Sequence, residues 1–438
     1  MISSLLSRIV VVRYAMMRSF WFVPGMMTLT AVALALVTRS YAGAEILESF
    51  FQAHKLIVAS PEATRTILAT TVGSIITVTS LVFSMVLLAL SRASQQLGPR
   101  LLQDFTGDKV NQVVLGAFVA TFVHALLTLA ITPDPIPPAA VAISILLVLA
   151  CFFMLIYFLN HTARFMQADY VLARLNDELR DAIKAGCPAR DHATPAMPDW
   201  AESDDGDAIA ARRSGYIQSV DGERLVSVAA DRGLRLRLDV RPGHFVIAGS
   251  VIGRASPAGQ CDASTRAAIA DAVVIGSVRT AAEDLEFSIK AMAEIALRAL
   301  STGINDTYTA VTAIDQLSAS LAVAMQRQMP QNVFVDDKGG ARLVRSRVSF
   351  DGLVDAAYNP IRQNLAGNVT GIIRLVDALG ELGQFVAEPH QAAVLLRHLD
   401  MMASLARRTV QGDRDAKEAA QRVNDARRRI ARGREAIG

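Results

Sequence analysis

The chain has 438 residues, 52% of them hydrophobic and only 19% charged, and its mean hydropathy of +0.33 argues against a purely soluble protein. Residues 1–160 hold nine Lys/Arg and six Asp/Glu against 35 of each in 161–438, so the whole formal charge of +3 sits in the apolar third. The neutral remainder argues against a nucleic-acid-binding body, which shows a basic excess. Cys151, Cys187 and Cys261 are odd in number and far apart, so no disulfide framework, metal site or cofactor is expected.

Four uncharged stretches, about 20–38, 67–90, 110–131 and 139–159, are long enough for a hydrocarbon core of ~30 Å. Lipid offers no partner to a backbone amide, so these stretches are expected to be helices. Arg8, Arg13 and Arg18 precede the first span, and Arg92, Arg100 and Lys109 lie between the second and third. Arg164, Arg174 and Arg180 follow the fourth, while the loop after span one balances its charges and TPDPIPP has no basic residue. The positive-inside rule then places both termini of a multi-pass membrane protein in the cytoplasm. Trp21 and Tyr41 suit the two interfaces of span one. The small residues at 42–44 imitate a signal-peptide cleavage site, but the preceding apolar run is longer than an h-region and is read as an uncleaved anchor.

Span two carries Thr70, Ser74, Thr77, Ser80 and Ser84 at a spacing of four, three, three and four, which is one helical face. Such a stripe can replace part of an ion's hydration shell. It also serves ordinary helix packing, because small residues let transmembrane helices approach closely. His124 is the titratable side chain well inside a span, and it is a candidate for function by its placement. A neutral packing histidine is the competing reading, and no acidic partner in any span supports a proton relay.

The second part reads as a cytosolic α+β body. A helix is expected to continue from span four through 163–184, followed by a linker at 185–214 with three prolines and an acidic cluster. A small mixed β module is expected over 215–278. There Asp221 caps a short helix ending at Gly233, and Leu234, Leu236, Leu238 and Val240 alternate with polar residues as a half-buried strand. Pro242-Gly243 turns into a second strand, and VRPGHFVIAGSVI resembles half of a lipoyl-type barrel-sandwich module without the lysine at its tip. A mainly helical domain is expected over 279–400. Thr280 with Glu283 reads as a capping box, and Leu285, Ile289, Met292, Ala296 and Ala299 form a buried stripe. Gly303 suits a left-handed C-cap, and Asp306 caps a second helix whose Ala310, Ile314, Leu317, Leu321 and Met325 face the same core. Residues 333–350 read as a β-hairpin turning at Lys338-Gly339-Gly340, and Ile361 through Leu379 as one amphipathic helix. Residues 401–438 are expected to form a basic C-terminal helix or tail, with ten basic and five acidic residues from 407 onward. Its ordinary fate is a solvated face, and contact with anionic lipid is the alternative.

The strings FSMVLLALSRASQQLGPRLLQDF (83–105), VNQVVLGAFVATF (110–122), GYIQSVDGERL (215–225) and EDLEFSIKAMAEIALRALSTGINDTYTA (283–310) together resemble the bacterial predicted-membrane-protein family called domain of unknown function 2254. The resemblance runs from about 18 to 382. It implies an inner-membrane protein with an N-terminal multi-span region and a cytosolic domain, and it implies no activity. Thr302 and Thr307 stand where prolines are common in the family, which implies a less rigid turn here.

Arg279, Thr280, Gly303, Asn305 and Asp306 are the cytosolic binding candidates, because a helix end meeting a helix start can present amides to an anion. Capping alone also accounts for Gly303 and Asp306. No nucleotide-binding loop, HExxH or GxSxG motif occurs, and Cys187 near His192 is a poor nucleophile pair, so no enzyme is expected. Two functions remain. One is an oligomeric channel or transport-like protein with a regulatory cytosolic domain, which needs a homo-oligomer and an ion or small ligand. The other is a membrane-anchored scaffold or sensor whose cytosolic domain binds a partner or small ligand.

Overall fold

The computed structural model describes residues 21–39, 60–96, 108–132, 136–190, 195–281 and 283–435, which fall into two compact units dividing after Tyr170. Arg8, Arg13, Arg18, Tyr41, the residues at 42–44, Arg100 and His192 lie outside the described residues.

In the first unit the uncharged runs form α1 (Phe22–Arg39), α2 (Pro61–Gln96), α3 (Lys109–Ile131) and α4 (Pro138–Phe165). Each is long and apolar enough to cross a membrane. Ser60 Oγ accepts from the Ala63 amide at the start of α2, and Asp108 caps α3 by accepting from Val110 N at 2.8 Å. Helix α3 packs against the other three. A Cβ on Gly116 would stand 2.7 Å from Met27 Sδ and 3.0 Å from Pro24 Cα, so glycine is what lets α1 settle onto α3. Val82 and Val86 of α2, Phe118 of α3 and Phe158 of α4 fill the interior. Leu29, Leu88 and Phe153 point outward, as lipid-facing side chains do. Asp108 also meets His161 Nε2 at 2.5 Å, tying the start of α3 to the end of α4.

The helix expected to run on from span four is interrupted: α4 ends at Phe165, and α5 (Ala168–Gly186) begins beyond a turn at Met166. Next, the segment read as a linker contains β1 (Asp207–Ala210). There follow β2 (Gly215–Val220), α6 (Gly222–Asp231), β3 (Arg235–Leu238), β4 (Phe245–Val246), β5 (Val251–Ser256), α7 (Ala263–Asp271) and β6 (Val273–Gly276). Asp221 caps α6 through Arg224 N, and Gly233 leaves it with φ of 64°, as the sequence suggests. Helices α8 (Leu285–Ala299) and α9 (Thr307–Met325) form the expected hairpin, with both stripes buried.

Four further expectations change. Strands β3 and β4 lie in different sheets, so Pro242-Gly243 is a crossing between sheets rather than a hairpin turn. The hairpin β7 (Val333–Val335) and β8 (Ala341–Arg345) joins the sheet of the preceding module, where β8 runs parallel to β3 in the order β1-β5-β3-β8-β7. The other sheet is β4-β2-β6. The single helix through Ile361 and Leu379 is two, α10 (Phe350–Asn364) and α11 (Val369–Leu382), separated by Gly367 at φ of 77° and the Asn368 cap. Finally, the basic tail is neither fully solvated nor free. After α12 (Pro389–Thr409), α13 (Asp413–Glu435) buries Ala419, Val423, Ala426 and Ile430 and packs on α11 and α12. Its Arg422 and Arg427 reach Asp377 and Asp400.

The approach of α13 to the end of α11 depends on absent side chains. A Cβ on Gly383 would stand 2.8 Å from Ile430 Cα, and one on Gly380 2.9 Å from Ala426 Cα. Gly383→Ala is therefore expected to push α13 away at a cost of about 1–3 kcal/mol, read as a Tm drop of a few degrees and faster proteolysis of the tail. An unchanged Tm and cleavage rate would refute this packing.

His398 of α12 is 1% exposed and donates through Nε2 to Asp355 Oδ1 of α10 at 2.9 Å. Burial lowers its pKa from 6.5 more than Asp355 raises it, with Arg397 and Arg362 adding to the fall. The unfolded chain then binds the proton at higher pH than the folded one. Stability is full above about pH 6.5 and declines as pH falls below it. Thermal unfolding in detergent is expected to show a Tm that drops from about pH 7 to pH 5, and His398→Gln to flatten that slope. Equal slopes in the two proteins would remove His398 as the cause.

Candidate functional site

The hydroxyl face of α2 is not packed inside its own unit: Thr70, Ser74, Thr77, Ser80 and Ser84 are all exposed. The helix satisfies three of them. Thr77 Oγ1 donates to Gly73 O at 3.0 Å, Ser80 Oγ to Ile76 O at 3.0 Å and Ser84 Oγ to Ser80 O at 2.9 Å. Bonding back in this way spends the hydroxyl hydrogen and leaves oxygen lone pairs facing outward. Thr70 and Ser74 border a groove of about 300 Å³ whose walls include Phe118, Cys151 and Leu155.

His124 is fully buried on α3 and does not join that face. Its Nδ1 stands 3.2 Å from Ser144 Oγ of α4. Since Ser144 already donates to Ala140 O at 3.0 Å, Nδ1 carries the ring proton and Nε2 keeps a lone pair. Among the described residues Nε2 has no partner, nor has Thr128 Oγ1 one helical turn on. Thr121 meets Cys151 at 3.2 Å, so a polar seam runs between α3 and α4.

In the second unit Arg279 belongs to a closed ion network. Its Nε donates to Asp284, which is 3% exposed, and its Nη2 lies 3.6 Å from Glu286. Arg241 also pairs with Glu286, and Lys290 Nζ reaches Glu286 Oε2 at 2.6 Å. Burial raises the Glu286 carboxyl, but Lys290, Arg241 and Arg279 together hold it below its ordinary value. Gly243, at φ of 90°, leaves no room for a Cβ beside Asp284 and Arg279. The capping box gives way here: Asp284 caps α8 by accepting from Glu286 N. Thr280 Oγ1 is buried with no partner among the described residues.

Gly303, Asn305 and Asp306 lie together on an exposed loop away from that network. Gly303 does not take the left-handed conformation; Asn305 does, at φ of 51°. Asp306 N bonds to Ala299 O at 2.7 Å. The Asp306 carboxylate accepts from Thr309 Oγ1 and N, and these hold its pKa down. The loop is accounted for by capping.

The cleft missed by the sequence reading lies between α6 and the β7–β8 hairpin and encloses about 900 Å³. Arg345 and Arg347 line it. The Arg345 side chain is 3% exposed; its Nη1 donates to Val220 O at 2.9 Å and its Nη2 to Glu283 Oε2 at 3.3 Å, while Nε has no partner among the described residues. Both guanidinium carbons stand 5.5 Å from the centre of the Phe334 ring. Arg347 has no ion pair among the described residues and its Nε is unpartnered. Burial, followed by the charge of Arg345, brings its pKa down to about 10, and Glu283 opposes them. The sequence signal was available in part: Arg345 shares the strand face of buried Leu343 at the end of β8, and Arg347 follows two residues beyond the strand. Cys187, by contrast, is buried with its thiol pushed up to about 11, which keeps it protonated.

Uncharacterized proteins of Mycobacterium bovis and Mycobacterium tuberculosis are 29% identical to this chain over 371 residues, covering 81% of it and 70% of each relative. No solved structure matches it. The model of the predicted membrane protein family DUF2254 matches residues 17–381, and the chain belongs to that family.

Proposed function

We propose that the protein is a membrane-anchored ligand sensor. Four spans hold it in the bacterial inner membrane with both termini in the cytoplasm, and its cytosolic unit takes a small molecule into the cleft beside α6. The observation that carries this reading is the pair of guanidinium groups lining that cleft with one carboxylate, Glu283, between them. A cation held away from water at such cost is stabilised by an anionic group that enters and meets it. The test is native mass spectrometry of the full chain released from membranes. A bound small molecule is expected, and Ala230→Trp, which fills the cleft, is expected to lose it while keeping the wild-type Tm. The same bound mass in both proteins, or none in either, overturns the reading.

A second reading rests on the outward hydroxyl face of α2. We infer a homo-oligomer in which these faces meet around an axis, as a channel or transport-like assembly requires. Five exposed hydroxyl positions in one span support it, since they leave the subunit's own interior unused. Oxidative crosslinking in membranes is expected to dimerise Ser80→Cys and Ser84→Cys and to spare Phe153→Cys on α4. Liposomes holding the wild type are expected to pass ions, and Thr77→Val to change the rate. Equal crosslinking at all three positions with no flux overturns it.

A further inference from the structure

We infer that the cleft is shaped by charge for a small phosphate ester that also carries an ammonium group, the phosphate against Arg345 and Arg347 and the ammonium toward the acidic rim. This deepens the cleft-binding reading and rests on it.

The deep side of the cleft has more cation than anion. Arg345 spends Nη1 on a backbone carbonyl and Nη2 on Glu283, and Arg347 has no hydrogen bond or ion pair among the described residues. Two guanidinium groups against one carboxylate leave one positive charge unmatched. Two Nε–H donors, one on each arginine, are also buried without acceptors among the described residues. A single anion that answers both needs several oxygens, which a phosphate monoester supplies along with about −1.5 to −2 charges at pH 7. Arginine forks suit this geometry better than a lone ammonium.

The rim has the opposite sign. Glu223, Asp231, Asp336 and Asp337 line the same cleft. Asp336 is committed to Arg342 Nε at 2.7 Å and to the amides of Lys338 and Gly340. The other three have no ion pair among the described residues. A polyanion such as a nucleoside triphosphate would meet this rim with its charges unbalanced, because like charges at short range repel. A ligand with a phosphate at one end and an ammonium at the other carries a net charge near −1, matching the unbalanced charge of the arginine side. Both charged groups then face their opposites.

Calorimetric titration of the full chain in phosphatidylglycerol nanodiscs tests this with three probes: phosphoethanolamine, inorganic phosphate and ethanolamine. Phosphoethanolamine is expected to bind at least tenfold more tightly than either fragment. Arg347→Gln is expected to weaken it tenfold or more, while Glu223→Gln with Asp231→Asn weakens it without changing inorganic phosphate. Adding phosphatidylethanolamine to the discs separates the sources. Its headgroup is a diester with a single phosphate charge and a net charge near zero, so no competition is expected, and competition would overturn the monoester in favour of a lipid headgroup. No phosphoethanolamine binding, equal binding of inorganic phosphate, or an unchanged Arg347→Gln protein overturns the inference. If the bound mass lost in Ala230→Trp persists alongside such a result, the cleft still binds and only the ligand class is wrong.

Discussion

Charge removed from water has to be met by charge, and the join between the sheets and the helices of the second unit is built on that constraint. Strand β8 sends Arg345 to the carbonyl of Val220 at the end of β2 and to Glu283 just ahead of α8. The turn between β3 and β4 sends Arg241 to Glu286, and Arg279 returns to Asp284, both in the opening turn of α8. Three stretches far apart in sequence therefore meet through a handful of ionic groups rather than through apolar interlocking. Such a join is directional. Removing one partner of a buried pair leaves the other stranded, at a cost of about 3–5 kcal/mol, so the position of α8 against the sheets is fixed more sharply than a greasy contact would fix it. The helical half follows, because α9 and α10 pack on α8.

The first unit answers a different demand. There the backbone is satisfied by helix formation, and side-chain polarity is handled locally. Thr77, Ser80 and Ser84 return their hydrogens to their own helix, and Ser144 does the same while accepting from His124. Outward hydroxyls cost little once bonded back, which is why the face can sit on the surface of the subunit. His124 is the exception, since only one of its ring nitrogens finds a partner among the described residues. The short pairing of Asp108 with His161 gives α3 a cap and a link to α4 in one group.

What was legible in the sequence is what local periodicity and end signals encode. Uncharged runs gave the spans, Asp221 and Asp306 gave helix starts, and the stripes of α8 and α9 gave their buried faces. The breaks at Met166 and at Leu365 to Asn368 were hidden because apolar spacing continues across both, so a pattern of side chains cannot see the backbone turn. The capping box misled because Asp284, one residue beyond Glu283, is the stronger cap and starts the helix four residues later by accepting from Glu286 N. Gly303 misled for a related reason: glycine tolerates the left-handed region, but asparagine does as well, and the loop geometry put Asn305 there. The pairing of β8 with β3 joins residues about a hundred apart in the chain, which no local signal carries. The arginines were missed because a pattern of alternating apolar and polar residues assigns arginine to water, whereas Arg345 takes an inward position.

The difference between the two arginine clusters is what separates a brace from a site. Around Glu286 and Asp284, the cations Arg241, Arg279 and Lys290 are each within reach of a carboxylate, and Gly243 closes the remaining space. The cavity beside them measures only about 20 Å³, against about 900 Å³ in the cleft by α6. Around Phe334 the count differs, with Glu283 paired to Arg345 while Arg347 has no ion pair among the described residues, and the space beside them is open. A fold that needed Arg347 only as filler would be as well served by leucine or methionine, whose burial costs no desolvated charge. The basic tail helix gives the contrasting case within the same unit: Arg422 and Arg427 are paired to Asp377 and Asp400 on neighbouring helices, so their charge is spent on holding α13 in place. Abundance of arginine therefore says little by itself. What distinguishes the cleft is an arginine with no ion pair among the described residues, next to open volume.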